Sequence, residues 1–376
     1  MEKAAVLAGM LILNGKQTDY DGYRKYTWQK LSGIFSPSYN CVFDSETGWF
    51  ARWGDSLDDD TEWCPFGNEL VDIEISAGDC SSGAGNGASG FCRWCYKNNT
   101  AHNGHHMSLE SFKMVLDHMP PTCFQVALGI TDADKHPDLI EIMKYCREND
   151  IVPNLTTAGY GLPQELLEEI ASLAGAVAVS AYPHNTALAY ETIRKFQNAG
   201  LEQVNMHLLY YADNMPFVYS VLHDIEMGYV QPQAVVLLGL KPKGRGSNLK
   251  PLPPDEFTKL MKYCLEHNIP VGMDSCSASK VLKAVDDLGI EGPQREHFHT
   301  VVEPCESGLF SIYVNVDGKV FPCSFTEGGK WGSKPQGINL LSVGDFVEDV
   351  WNHVAIEDWR DALLHNKRAC PVYRID

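Results

Sequence analysis

From residue 70 onward the chain alternates short β-branched apolar runs with longer stretches whose apolar residues recur at helical spacing. The runs at 71–75, 124–129, 152–156, 176–181, 204–209 and 234–240 predict six strands. Stretches 137–147, 163–173, 186–197 and 254–266 predict helices between them. Strands that alternate with helices pair in parallel, because the chain must cross over the sheet before the next strand begins. Six such units fit a partial (β/α)6 TIM-like barrel, and an open doubly wound sheet is the other topology this periodicity allows. The expected class is α/β.

Residues 1–70 lack that rhythm. Their clearest signal is a hairpin, 40–43 turning through 44–48 to 49–53, followed by the acidic run Asp58-Asp59-Asp60. This reads as an N-terminal extension packed on the barrel. After about residue 300 the pattern changes again: runs 309–315 and 319–321, joined at Asp317-Gly318, form an antiparallel hairpin in a small α+β module. The expected division is therefore 1–70, 71–300 and 301–376. The one compositionally biased loop is the glycine- and serine-rich 81–90.

A chain of 376 residues accommodates one large α/β unit and something smaller. With 44% hydrophobic and 21% charged residues it buries a sizeable core, which excludes disordered and collagenous classes. Forty-nine acidic against thirty basic residues give a net charge of −19, which opposes attraction to phosphate backbones and anionic lipid, so neither nucleic acid nor membrane is an expected partner. The apolar run 4–13, interrupted by Gly9, is shorter than the ~20 residues of a membrane span and lacks a secretory processing pattern. A cytoplasmic location is expected, and there twelve cysteines point to metal or redox chemistry more than to disulfides.

Cys80 follows the first predicted strand, and Cys92-Arg93-Trp94-Cys95 follows the glycine-rich loop, with eleven residues between Cys80 and Cys92. Two thiols two residues apart can face one metal centre, and a flexible loop lets the third join them. Three thiolates on a cubane leave one iron open to another ligand. A zinc knuckle completed by His102, His105 or His106 is the alternative.

These residues resemble the radical S-adenosylmethionine (radical SAM) enzymes, which carry three such cysteines after the first barrel strand, usually three and two residues apart, with an aromatic residue before the third. Trp94 stands at that aromatic position, while the gap between Cys80 and Cys92 is longer than usual. The resemblance implies a 4Fe-4S cluster on Cys80, Cys92 and Cys95 whose fourth iron chelates S-adenosylmethionine. Further matches follow along the barrel. His136-Pro137 places Asp132 where the family has a glutamate that meets the cofactor's ammonium. Asn154-Leu155-Thr156-Thr157-Ala158-Gly159 resembles a third-strand motif near the cofactor. Ser180 and Asn205 stand where polar residues commonly meet ribose and carboxylate, and Arg245 lies in a loop resembling the family's Pro-x-Gly-Arg loop.

Twelve residues separate Cys305 from Gly318, and Cys323 follows that glycine after four residues, so the hairpin returns one cysteine beside the other. The pattern resembles the opening of the SPASM or twitch extension of radical SAM enzymes that modify peptides and proteins, and it implies one auxiliary 4Fe-4S cluster. Cys276 and Cys370 are the candidates for its other ligands. Cys123, Cys146 and Cys264 read as buried thiols. Cys41 and Cys64 are unassigned, with hydrogen-atom donation to a substrate radical as one role open to them.

The family implies reductive cleavage of S-adenosylmethionine to a 5'-deoxyadenosyl radical that takes hydrogen from a substrate. It also implies an external one-electron donor such as flavodoxin or ferredoxin. The expected substrate is a peptide or protein. A small metabolite is the alternative within the family, and a non-catalytic iron-sulfur electron carrier or a zinc-stabilised binding module the alternatives outside it.

Overall fold

The computed structural model describes residues 2–83, 92–329, 331 and 336–373. Most of the glycine-rich loop 81–90 lies outside the described residues. The N-terminal extension contains more than one hairpin. Helix α1 (Glu2–Asn14) lies on a five-stranded antiparallel meander, β1 (Lys16–Tyr20), β2 (Tyr23–Trp28), β3 (Leu31–Phe35), β4 (Asn40–Asp44) and β5 (Phe50–Trp53), paired in chain order. The expected hairpin is β4–β5, with Asn40 opposite Trp53 and Phe43 opposite Phe50. The apolar run near the N-terminus forms α1, whose Ala4, Ala8 and Leu11 recur one helical turn apart and pack against Tyr26, Leu31, Val42 and Trp53.

The barrel strands are β6 (Leu70–Glu74), β9 (Gln125–Gly129), β10 (Val152–Thr157), β11 (Val177–Ala181), β12 (Val204–Tyr210) and β13 (Val235–Gly239), followed by a short seventh, β14 (Val271–Met273). Between β6 and β9, the two-residue strands β7 (Ser76–Ala77) and β8 (His105–His106) pair antiparallel, so the cysteine-bearing segment leaves and returns at one place. Each barrel strand pairs in parallel with the next in the chain, without reversal. A doubly wound sheet reverses its order at a switch point, so this winding is that of the partial barrel. The fold is α/β, as expected.

Helices α2 (Leu109–Asp117), α3 (Leu139–Glu148), α4 (Gln164–Leu173), α5 (Thr186–Asn198), α6 (Met215–Glu226), α7 (Pro254–Glu266) and α8 (Ala278–Asp287) follow the seven strands. Their pattern is clear in α7, which opens on Pro254 with Asp255 and Glu256 in its first turn and buries Phe257, Leu260, Met261 and Cys264. Along β12 the buried residues Val204, Met206, Leu208 and Tyr210 alternate with Asn205, His207 and Leu209 on the other face. Cys123, Cys146 and Cys264 are buried core thiols.

After α9 (Gly292–Val301), the chain adds β15 (Ser311–Val314), β16 (Lys319–Phe321) and β17 (Ile338–Asn339), then α10 (Val354–His365). Strand β15 pairs in parallel with the free edge of β6, and β16 and β17 continue antiparallel. Gly318 makes the β15–β16 turn at φ 73°, a conformation that carries no steric penalty only without a side chain. The hairpin thus extends the barrel sheet to ten strands. Among the described residues no helix is long and apolar enough to cross a membrane.

The extension is locked to this end of the sheet by Arg52. Its guanidinium contacts Glu69 at 3.0 Å, Glu303 at 2.7 Å and Glu306 at 3.0 Å, and stacks 3.6 Å from the centre of the Phe310 ring. The Tyr39 hydroxyl also donates to Glu69. Glu303 is exposed and also meets Arg368, but Glu69 is buried, so removal of Arg52 takes the paired cation from a buried carboxylate. R52M is expected to cost about 3–5 kcal/mol in urea unfolding, and a loss under 1 kcal/mol would contradict this account.

Candidate functional site

The mouth of the barrel is a cavity of about 630 Å³. Its lining includes the first cysteine set, Cys80, Cys92 and Cys95, together with Cys276, Cys305, Cys323 and Cys370. The structure therefore brings all seven expected ligands to one space. Cys276 sits in a single helical turn after β14, Cys305 precedes β15, Cys323 follows β16, and Cys370 follows α10.

Backbone hydrogen bonds and one arginine hold the first set. Cys80 N–H donates to the Thr100 carbonyl at 2.8 Å, and Cys95 N–H closes a turn onto the Cys92 carbonyl at 3.3 Å. Arg245 lines the cavity, but its side chain donates to the carbonyls of Cys92 and Asn99, both at 2.8 Å, and its backbone N–H donates to the Cys95 carbonyl at 3.1 Å. Arg245 thus fixes the cysteine segment. The neighbouring Gly244 has φ 56°, and a Cβ there would lie 2.5 Å from the Tyr96 carbonyl oxygen and 2.7 Å from that of Cys95. G244A is expected to push this segment away and to lower the iron bound on reconstitution; iron content equal to wild type would contradict it.

Burial pushes the Cys80 thiol up to about 11, with Asp132 and the other two thiols acting in the same direction. Burial likewise raises Cys92, although Ser82 Oγ at 3.4 Å opposes it. Buried thiols that repel one another as anions suit a cationic inorganic core. Among the described residues no three His, Cys, Asp or Glu side chains come together closely enough to hold a single metal ion. Thiolates are the donors that hold iron-sulfur clusters, and the cavity lining carries seven cysteine thiols, so the chemistry of the donor set fits a cluster. The knuckle's candidate imidazoles are placed elsewhere: His105 meets Asp317 at 2.8 Å, His106 meets Ser76 at 3.0 Å, His102 is exposed, and none lines the cavity.

Asp132, Thr156 and Ser180 line the wall beside the first set. The Asp132 carboxylate accepts from Ser81 N–H at 3.0 and 3.1 Å, and it caps no helix with its side chain. Beside it the Thr131 hydroxyl is buried with no hydrogen-bond partner among the described residues, an open position for a polar ligand group. Trp94 packs against Tyr182, His184 and Tyr211, at centroid distances of 5.0, 6.0 and 6.4 Å. Asn205 does not line the cavity. It lies near the start of β12, and His207, two residues further along the same face, lines the cavity instead. Burial lowers His207 to about 4, so its imidazole is neutral at pH 7.

Lys241 lines the cavity with the second set; burial lowers its pKa, and Cys276, Cys323, Cys370 and Cys305 oppose that. Lys243 donates to the Ser324 carbonyl at 2.8 Å, so it too is engaged by the protein. Cys41 and Cys64 are fully buried between the extension and the barrel, outside the cavity lining.

Sequence patterning passed over the acids of β6. Asp72 and Glu74 share its inward face with the cavity. Glu74 accepts from Tyr313 at 2.9 Å and pairs with Lys97 at 3.0 Å, and Lys97 also pairs with Glu327. This network joins the segment after Cys95 to β6 and β15. The available signal was charge on a strand expected to be buried on both faces. Burial, then Glu306, raises Asp72 from an ordinary carboxylate value to about 6. An acid raised on folding contributes stability below its unfolded pKa and loses it as pH rises through the folded one. D72N is therefore expected to unfold at a higher temperature than wild type above pH 6, with the gap closing below about pH 4. A gap independent of pH would contradict this.

No protein-family model matches the sequence, and no curated protein does. Solved structures do. The chain aligns with Streptococcus suis SuiB bound to precursor peptide SuiA at a TM-score of 0.61 and 12% identity, covering 78% of this chain and 67% of SuiB. It aligns with anSMEcpe bound to AdoMet and the Cp18Cys peptide at 0.52 and 12%, covering 77% and 82%. Both are radical SAM enzymes. This chain has the radical SAM fold. SuiB was also solved with S-adenosylmethionine, and that structure aligns with a TM-score of 0.60 and 11% identity over 79% of this chain and 68% of SuiB. In the radical SAM fold of this chain, Cys80, Cys92 and Cys95 occupy the cavity at the barrel mouth.

Proposed function

We propose that this chain is a radical SAM enzyme with one auxiliary 4Fe-4S cluster, acting on a peptide or protein. The observation that carries the reading is the convergence of two separately patterned cysteine sets on one cavity. Cys80, Cys92 and Cys95 would hold the first cluster, and Cys276, Cys305, Cys323 and Cys370 the second. Bound there, cluster and S-adenosylmethionine supply one-electron cleavage of a sulfonium and, from it, a radical that takes hydrogen from substrate.

The chain's own residues position and shield. Thr131, Asp132, Thr156, Ser180 and His207 line the barrel wall and offer polar contacts to the cofactor. Trp94 and Tyr182 form an aromatic surface beside the first set. Apolar lining from Leu128, Ile130, Leu209 and Leu238 keeps water from this space. The cavity lies within the ~300–1,000 Å³ of ordinary ligand pockets. SuiB and anSMEcpe, each solved with a peptide, support the peptide reading. The electron donor is read as an external flavodoxin or ferredoxin.

Anaerobic reconstitution tests the proposal. The expected outcome is about eight irons per chain and 5'-deoxyadenosine release under reductant, with C92A and C323A each losing about four irons. Bound zinc without absorption near ~400 nm, or clusters that never cleave the cofactor, would overturn it. For the substrate, deuterium should enter 5'-deoxyadenosine from a uniformly deuterated peptide fraction. Transfer only from a deuterated small-metabolite fraction would overturn the peptide assignment.

A further inference from the structure

Lys241 is only 8% exposed, at the end of the segment that follows β13. Its ammonium donates to Asp274, which is two residues before Cys276, and lies 5.4 Å from the centre of the Phe325 ring, two residues after Cys323. The Asp274 carboxylate also accepts from Ser277, which is hydrogen-bonded at 2.8 Å to the fully buried Tyr210. The ion pair is thus anchored in the core rather than free to swing into solvent. Lys241, Cys276, Cys305, Cys323 and Cys370 line one cavity, so the ammonium shares that space with cysteines from four separate stretches of chain.

The first set has a different electrostatic setting. Its adjacent carboxylate is Asp132, and the cation beside it, Arg245, is directed at backbone carbonyls. Beside the first set, then, lies an arginine engaged by backbone carbonyls, and beside the second an ammonium engaged by a carboxylate. We propose that Lys241 is a positioning charge that raises the reduction potential of the cluster held by Cys276, Cys305, Cys323 and Cys370. This rests on the reading that those four cysteines hold a cluster. Reduction adds one negative charge to a cluster, and a cation held against it at low dielectric stabilises the reduced state more than the oxidised one. Asp274 opposes Lys241, so the two residues carry opposite signed effects. A side chain that only filled space would carry neither.

The test uses the full chain with C80A, C92A and C95A, so that the reconstituted protein shows the second cluster alone. Its potential is read by electron paramagnetic resonance during anaerobic titration. K241M is expected to lower the potential by at least the equivalent of a tenfold change in oxidised-to-reduced ratio, 59 mV for a one-electron couple. D274N is expected to raise it, and K241R to stay near the starting value. If K241M does not fold, K241Q takes its place: a potential lowered as for K241M supports the role of Lys241, and one that stays at the starting value overturns it. Potentials unmoved in K241M and D274N, or moved in the same direction, would overturn the role of Lys241 while leaving the cluster in place. A triple-cysteine variant that holds no iron would overturn the four-cysteine reading itself, and the role of Lys241 with it.

Discussion

Strand β6 is hydrogen-bonded along both edges, to β9 on one side and to β15 on the other. That double pairing fixes the relation of the two thiol sets. The segment leaving β6 carries Cys80, Cys92 and Cys95. Strand β15 is preceded by Cys305 and followed, through the turn at Gly318, by β16 and Cys323. Pairing is in register, Ile73 with Val314 and Glu74 with Gly129, so the C-terminal ends of these parallel strands open on one side. Ligands gather at the carboxyl ends of parallel strands because the loops there are free to vary while the sheet below is not. If β15 were detached from β6, the second set would have no fixed distance from the first.

Strongly periodic elements were legible because parallel strands covered by helices must be apolar on both faces, and helices on such a sheet need one apolar stripe. Elements with neither property were missed. Every residue of β1 is exposed, and polar Lys16, Gln17, Thr18 and Asp19 give it no alternation to read. The seventh barrel strand is three residues long, too short to carry a period. At the site, cysteine spacing was informative because a hairpin and a two-residue gap dictate proximity. A single polar residue on a strand is not informative in that way. Asn205 and His207 share a face, and only the structure shows that the latter reaches the cavity. The cations of the 240–246 loop were legible as a cluster of charge, but their partners are carbonyls and a carboxylate distant in sequence.

Polar groups around the cavity are distributed between support and open chemistry. Glu74, Lys97, Tyr313 and Glu327 satisfy one another and tie three parts of the chain together. Arg52 does the same from the extension, ending beside Cys305 through Glu303 and Glu306. The N-terminal sheet is therefore structurally continuous with the second thiol set, although it supplies no thiol to the cavity. Burial raises Asp72 as it raises Glu74 and Glu306, but those acids are paired with Lys97 and Arg52, whereas among the described residues Asp72 has no cation at ion-pair distance.

Cys370 reaches this arrangement last in the chain. Beyond α10, Lys367 and Arg368 both adopt left-handed φ, 52° and 62°, which turns the tail back toward the cavity at a backbone cost of roughly 1–2 kcal/mol each. Arg368 offsets that by donating to the carbonyls of Cys305 at 3.0 Å and Pro304 at 2.9 Å, and Tyr373 by donating to the Phe325 carbonyl at 3.0 Å. Arg368 also pairs with Glu303 and lies 5.6 Å from the centre of the Phe310 ring, and each of these contacts makes a small net contribution. A metal core bound by all four thiols would join the end of β14, both sides of the hairpin and this tail in one covalent unit. Its binding energy would then act as folding energy at the junction of these segments.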